Sequence, residues 1–166
     1  MGVSPRFAFG SSIQRHIWTP LYDILRQREE NMKMPEIIDI NMFAPCGMNC
    51  LICYVHLKKK KPCKGCLCDD VDKSERCKNC EIKNCAKEKG IIYCFKCENH
   101  PCKRIINLDK SYQKRYQVSL IDNSKIINDN GFEFFFKKEK KRWNCSECGG
   151  VISLHDKECS ECKKKM

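Results

Sequence analysis

The chain has 166 residues, of which 16 are cysteine, and its formal net charge is +11. So high a cysteine content is typical of a disulfide scaffold or a metal-binding scaffold. Residues 1–20 lack the continuous apolar stretch of a secretory signal, and no later segment approaches the roughly 18 apolar residues of a membrane span. We therefore expect a cytoplasmic protein whose cysteines are reduced and metal-bound, with no membrane association.

The net charge depends on the state of the cysteines. A zinc ion with four thiolates carries a net charge of −2, so four such sites would lower +11 to +3. Metal binding therefore removes most of the charge that would otherwise indicate a nucleic-acid-binding protein.

Residues 1–41 form a predicted N-terminal arm and lead-in without cysteine. Thr19 can cap a helix that has Pro20 in its first turn and ends near Glu30. Met34 would be a natural start for a metal-binding domain, so the preceding residues are interpreted either as a mis-assigned start or as a disordered arm. Residues 39–44 alternate in polarity, which predicts a short strand.

Residues 42–110 form the predicted cysteine-rich metal-binding domain, with twelve cysteines between positions 46 and 102. Apolar residues are sparse here, so we expect metal binding to supply much of the folding free energy. The spacing leaves the pairing of the ligands open. The local pattern predicts a helix over 81–89 that Gly90 ends, a strand over 91–93, and a second helix from 101–103.

Residues 111–142 form a predicted helical connector. One helix should end near Gly131, and a second should cover 132–143, with Phe132, Phe135 and Phe136 as a buried apolar face. The opposite side of the second helix is basic, and we expect it to contact a protein or nucleic acid. The contact residues are Lys137, Lys138, Lys140, Lys141 and Arg142.

Residues 143–166 form a predicted four-cysteine zinc ribbon. Two Cys-x2-Cys knuckles, the first followed by two glycines, supply four thiolates for one tetrahedral ion. The ligands are Cys145, Cys148, Cys159 and Cys162. His155 is surplus to this set, and we expect it at the surface or hydrogen-bonded to a ligand.

The metal of residues 46–102 has two interpretations. Several structural zinc ions are favoured, but an iron–sulfur cluster also suits dense cysteines in a reduced chain. The spacing Cys46-x3-Cys50-x2-Cys53 also occurs in radical enzymes that use S-adenosylmethionine, but the chain lacks the strand–helix alternation of their barrel. A protein that passes metal onward would need exposed, labile thiolates.

Several motifs agree in order and spacing with a known family. These are Phe43-Ala44-Pro45-Cys46-Gly47-Met48-Asn49-Cys50, Cys63-Lys64-Gly65-Cys66, the segment 80–91, and Cys94-x2-Cys97-x4-Cys102. The chain resembles the cysteine-rich family called domain of unknown function 3795, over about 42–166 with its terminal ribbon. The resemblance implies a metal-binding protein without a known activity. Its pattern includes Cys46, Cys50, Cys53, Cys63, Cys66, Cys80, Cys85, Cys94, Cys97 and Cys102, but not Cys68 or Cys77.

Taken together, the sequence predicts a small, metal-stabilised α+β fold: an irregular cysteine-rich knuckle domain, a helical connector and a C-terminal zinc ribbon. No catalytic set of residues stands out, so a zinc-binding adaptor module is favoured over an enzyme. An iron–sulfur redox or maturation protein and a metal-handling protein are the alternatives.

Overall fold

The computed structural model describes residues 32–166, which are mainly helical. Three 3-10 turns lie at Ile40–Met42, Cys50–Ile52 and Cys94–Lys96. The helices are α1 (Glu75–Lys78), α2 (Glu81–Glu88), α3 (Lys103–Tyr116) and α4 (Leu120–Trp143). In this part of the chain, β structure is limited to isolated bridges, so the expected α+β class is not confirmed. The helix predicted for 19–30 lies outside the described residues.

Neither of the two short strands predicted before the connector forms. At 39–44, the Asp39 carboxylate accepts a hydrogen bond from the Asn41 N–H at 2.8 Å, which caps the turn Ile40–Met42. At 91–93, the chain bends and Ile92 is 61% exposed. Within the described residues, only Phe43 of the first segment pairs, through an isolated antiparallel bridge with Asn49, so alternation alone did not produce a strand.

The predicted helix ends agree well with the structure. Gly90 follows α2 with a φ of +64°, the left-handed conformation that glycine adopts most readily. Helix α3 begins at Lys103 as expected and ends before Gln117, which is also left-handed. Gly131 has a φ of 83° and a ψ of 171°, which breaks α4 where the sequence predicts a boundary.

A buried carboxylate joins α3 to α4. Asp109 on α3 accepts hydrogen bonds from the Leu120 N–H at 2.6 Å, the Ile121 N–H at 3.2 Å and the Ser119 hydroxyl at 3.0 Å. The first N–H groups of a helix have no partner within the helix, and the N-terminus favours negative charge. Asp109 therefore fixes the start of α4 against α3.

The cysteine-rich segment and the ribbon share one hydrophobic core. Leu51 and Ile52, which lie between Cys50 and Cys53, belong to the same buried cluster as Leu120 and Trp143 of α4 and Leu154 of the ribbon. The Leu154 N–H also donates to the Ile52 carbonyl at 2.9 Å. The described residues accordingly form one compact unit.

Aromatic side chains form a second core. Phe43 is fully buried, and its ring centroid lies 5.9 Å from that of Phe132 and 5.3 Å from that of Phe135. Phe134 is 52% exposed, as its place on the helix predicts. The predicted aromatic face of α4 is therefore confirmed as core.

The turn around Gly47 is docked on the start of α4. Gly47 has a φ of +94°, and a Cβ at this position would lie 2.2 Å from the Leu120 carbonyl oxygen. The Asn123 amide also donates to the Gly47 carbonyl at 3.0 Å. Only glycine fits this approach of two backbones.

Within residues 32–166, no helix is long and apolar enough to cross a membrane.

Candidate metal centre

The first knuckle of the ribbon is built by backbone hydrogen bonds and by two glycines. The Gly149 N–H donates to the Cys145 carbonyl at 2.8 Å, and the Cys145 N–H donates to the Gly150 carbonyl at 2.9 Å. Gly149 is left-handed, with a φ of +71°. A Cβ on Gly150 would lie 2.7 Å from the Cys159 sulfur, so this glycine leaves room for a thiol of the other knuckle.

The second knuckle approaches the first through isolated bridges. Ile152 pairs with Cys159, and Asn144 pairs with Val151. The Lys163 N–H donates to the Cys159 carbonyl at 3.2 Å, which closes the turn around Cys159 and Cys162. The short bridged segments hold two turns, and so two pairs of thiols, face to face.

The four ribbon sulfurs converge on one point. Their Sγ atoms all lie within 4.8 Å of one another, with 3.7 Å between Cys145 and Cys162 and 3.5 Å between Cys148 and Cys159. Four thiolates bound at about 2.3 Å to a tetrahedral zinc ion would lie about 3.8 Å apart. The predicted ribbon cysteines are thus brought together in an arrangement that could hold a metal ion.

Hydrogen bonds and burial divide the ribbon thiols by acidity. Backbone N–H groups of Cys148 and Glu147 donate towards the Cys145 sulfur and lower its pKa to about 7. Burial raises the pKa of Cys159 to about 12. Because a metal binds the thiolate, Cys145 is the better ligand at neutral pH before any metal is present.

The central cysteines line two separate spaces instead of converging as the ribbon does. Among residues 32–166, the ribbon alone gathers three or more potential ligands within 4.8 Å of one another. An open cleft of about 840 Å³ is lined by six cysteines: Cys46, Cys50, Cys53, Cys66, Cys77 and Cys80. A cavity of about 30 Å³ is lined by four others: Cys85, Cys94, Cys97 and Cys102.

Two of the cleft thiols form a hydrogen-bonded pair. The Cys66 N–H donates to the Cys50 sulfur at 3.4 Å. Hydrogen bonding from the Cys50 thiol, assisted by the nearby Lys73 ammonium, lowers the pKa of Cys66 to about 7. Burial raises the pKa of Cys46 and raises that of Cys53 to about 11. Cys66 is therefore the most acidic of these four thiols.

The remaining two central cysteines line neither space. Cys63 is buried, and the Cys68 thiol donates to the Lys64 carbonyl at 3.0 Å. Cys77, which lies outside the family pattern, nevertheless faces the cleft. Its place there depends on the tertiary packing of α1, which contains Cys77, so cysteine spacing carried no signal of it.

Aromatic and basic side chains also line the cleft. The His155 ring lies 5.0 Å from the rings of Tyr54 and Tyr116 and 6.1 Å from that of Tyr112. His155 therefore packs among tyrosines beside the cleft, and burial lowers its pKa. Arg76 and Arg115 also line the cleft, and no sequence pattern indicated either of them. The four-residue spacing of Tyr112 and Tyr116, which places them on one face of a helix, was the only sequence signal for this group of side chains.

The basic residues of α4 lie on one exposed stretch of the helix. Lys137, Lys138, Lys141 and Arg142 are exposed, and Lys140 is half-buried. Within residues 32–166, none of the five has a carboxylate within 4.0 Å. Their charges are therefore not neutralised by neighbours in the described part of the chain.

Residues 42–107 match the model of a family described as "Protein of unknown function (DUF3795)". The match confirms the resemblance over the twelve central cysteines, and it ends before the ribbon. No curated protein and no solved structure matches the chain.

Proposed function

We propose that the protein is a zinc-binding adaptor module with structural metal sites. Residues 42–107 match the DUF3795 family, whose description assigns no activity. The observation that carries this proposal is the convergence of the four ribbon thiols within 4.8 Å. A set of four protein ligands leaves no position for a substrate, which is typical of structural zinc.

The spacing of the sulfurs supports zinc in the ribbon. Separations of 3.5 and 3.7 Å between thiols suit one ion at the centre of a tetrahedron. Bound metal would add to the stability that the isolated bridges and the shared core give the ribbon. Zinc is thus assigned a structural role in this segment.

The adaptor role rests on the exposed basic surface of α4. Lys137, Lys138 and Lys141 carry charges that no carboxylate neutralises within residues 32–166. Such a surface attracts an acidic protein or a nucleic-acid backbone, and salt screens the attraction. A partner bound here would lie next to the ribbon, since α4 leads directly into it.

The metal assignment is tested by purifying the full chain anaerobically, counting metals per chain and recording the visible spectrum. We expect a colourless protein that contains zinc, and we expect Cys145→Ser to lose one zinc ion. A brown protein with iron and acid-labile sulfide but no zinc would refute the proposal.

The contact surface is tested with a variant in which Lys137, Lys138, Lys140 and Lys141 are replaced by glutamine. We expect retention on immobilised nucleic acid or an acidic polymer to be lost at moderate salt. A matched variant that replaces Lys58, Lys59, Lys60 and Lys61, which form another lysine run, should keep it. Retention that is equal in both variants would exclude α4 as the contact.

An iron–sulfur cluster in the central region is the second candidate. The supporting observation is the six-cysteine cleft, because about 840 Å³ far exceeds the space that one zinc ion needs. The cleft would supply several thiolates, as a cluster requires. Iron and sulfide that disappear in a Cys50→Ser variant, while ribbon zinc is retained, would establish this alternative.

A further inference from the structure

The smaller cavity gathers four cysteines that are close in sequence but come from different elements. Cys85 lies on α2, Cys94 and Cys97 flank a 3-10 turn, and Cys102 immediately precedes α3. All four line the same space. None of them lines the larger cleft, so these thiols form a separate set.

The exposure of these thiols argues against a purely packing role. A free cysteine that only fills the core is usually fully buried. Here Cys85, Cys94 and Cys97 are half-buried, and Cys102 is exposed. Four partly exposed thiols around one cavity are better explained by a ligand that they share.

The turn between Cys94 and Cys97 has the same backbone conformation as the turn between Cys50 and Cys53. The Cys97 N–H donates to the Cys94 carbonyl at 3.0 Å, and the Cys53 N–H donates to the Cys50 carbonyl at 3.1 Å. Cys97 has φ and ψ of −81° and 135°, and Cys53 has −79° and 131°. The same turn therefore occurs twice in the cysteine-rich segment.

The size of the cavity restricts what it can hold. Its volume of about 30 Å³ is close to the share of one molecule in liquid water. The rest of its wall includes the apolar side chains of Ala86, Ile91 and Ile105, which exclude water from one side. The space suits a single ion and is too small for a cluster or an organic ligand.

We propose that Cys85, Cys94, Cys97 and Cys102 bind one zinc ion in a second closed four-thiolate site, separate from the ribbon and from the cleft. This inference rests on the proposed function in taking the central thiols as metal ligands. No three of these sulfurs lie within 4.8 Å of one another, so their side chains must move closer together to bind one ion. Each thiol that binds releases its proton to solvent.

The site is tested by counting zinc ions in variants of the full chain. Cys97→Ser should lose one zinc ion relative to the wild type, and Cys97→Ser combined with Cys145→Ser should lose two. Cys68→Ser is the matched control, since Cys68 lines neither space, and it should lose none. An unchanged zinc count in Cys97→Ser would overturn the site, whereas an unchanged count in Cys145→Ser would overturn only the ribbon assignment.

If Cys97→Ser does not fold, the site can be tested with a variant that exchanges one metal ligand for another. Cys102 is exposed, so histidine can be placed there with little disturbance. With cobalt in place of zinc, Cys102→His should keep the metal count and shift the visible absorption from that of four sulfurs to that of three sulfurs and one nitrogen. An absorption spectrum identical to that of the wild type would overturn the proposal.

Discussion

The sulfur atoms of the ribbon differ in their affinity for protons, and protons compete with metal. Cys145 has its pKa lowered to about 7 by backbone N–H groups, whereas burial raises the pKa of Cys159 to about 12. Around neutral pH, Cys145 therefore needs little or no deprotonation, while Cys159 must release a proton before it binds.

We predict that zinc affinity of the ribbon falls as the pH falls, and that it falls more steeply below about pH 7. Above that value the Cys159 proton must be displaced. Below it the Cys145 proton must be displaced as well, which adds up to one unit to the slope of log K against pH. Competition with a coloured chelator between about pH 6 and 8.5 measures the slope. A slope that stays constant through pH 7 would contradict the assignment of Cys145.

A second prediction concerns the effect of Gly150 on zinc affinity at the same site. In Gly150→Ala the new Cβ would lie 2.7 Å from the Cys159 sulfur, so the sulfur must move out of the tetrahedron. We expect zinc affinity to fall by at least about tenfold, which corresponds to about 1.4 kcal/mol. The control is Ser146→Ala at an exposed position of the same knuckle, which should bind zinc as the wild type does. Equal affinities in the two variants would contradict the steric argument.

Metal ligands could be predicted from the sequence where they lie close together along the chain. The four ribbon cysteines follow from two knuckles at close spacing, and the structure brings them together. The grouping of the central cysteines was not predictable, because Cys77 and Cys80 join Cys46 only through tertiary packing. The interpretation of His155 failed for the same reason, since its tyrosine neighbours come from other segments.

Helices were predicted better than strands because their signals lie within the element. Gly90, Gly131 and the residues before Lys103 mark helix ends through their own backbone preferences. A strand needs a paired partner, but residues 39–44 have only the isolated bridge from Phe43 to Asn49, and residues 91–93 have no bridge in the described part of the chain. The Asp39 side chain then stabilises a turn in the first of these segments.

The hydrogen bonds from α4 to the Asp109 carboxylate on α3 should contribute measurably to the free energy of unfolding. Asp109→Ala would leave the N–H groups of Leu120 and Ile121 without their acceptor in a buried setting. We expect the free energy of unfolding to fall by about 1–3 kcal/mol. Urea unfolding of the metal-loaded protein, followed by circular dichroism, measures the change.

The control for this experiment is Asp129→Ala, which removes a carboxylate from the exposed surface of α4. Its effect should stay within about 0.5 kcal/mol. If Asp109→Ala were equally mild, the carboxylate would not be what holds the two helices together.

At the scale of the whole molecule, the ribbon is part of the main core. Its Leu154 and Cys159 belong to the same buried cluster as Ala44 and Leu51, which lie about a hundred residues earlier in the chain. Loss of metal from the ribbon should therefore loosen the packing around Ala44 and Leu51 as well as the ribbon itself.

We predict that a Cys145→Ser, Cys162→Ser double variant exchanges the amide hydrogens of Ala44 and Leu154 faster than the wild type does. The Ala44 N–H donates to the Met48 carbonyl at 2.8 Å. Exchange at both positions should increase by at least about tenfold, because opening the shared core exposes both hydrogen bonds. Hydrogen exchange followed by mass spectrometry measures this. Faster exchange confined to residues 143–166 would contradict the shared core.

The contact of Gly47 with α4 limits where the family segment can be cut. The match ends at residue 107, but the backbone of Gly47 rests on Leu120 and on the Asn123 amide, both beyond that point. A fragment made of residues 42–107 would leave the Gly47 turn exposed where α4 covers it, and the Gly47 carbonyl would lose its hydrogen-bond donor. Grafting the segment into another protein therefore requires α4, or a surface of the same shape, to be carried with it.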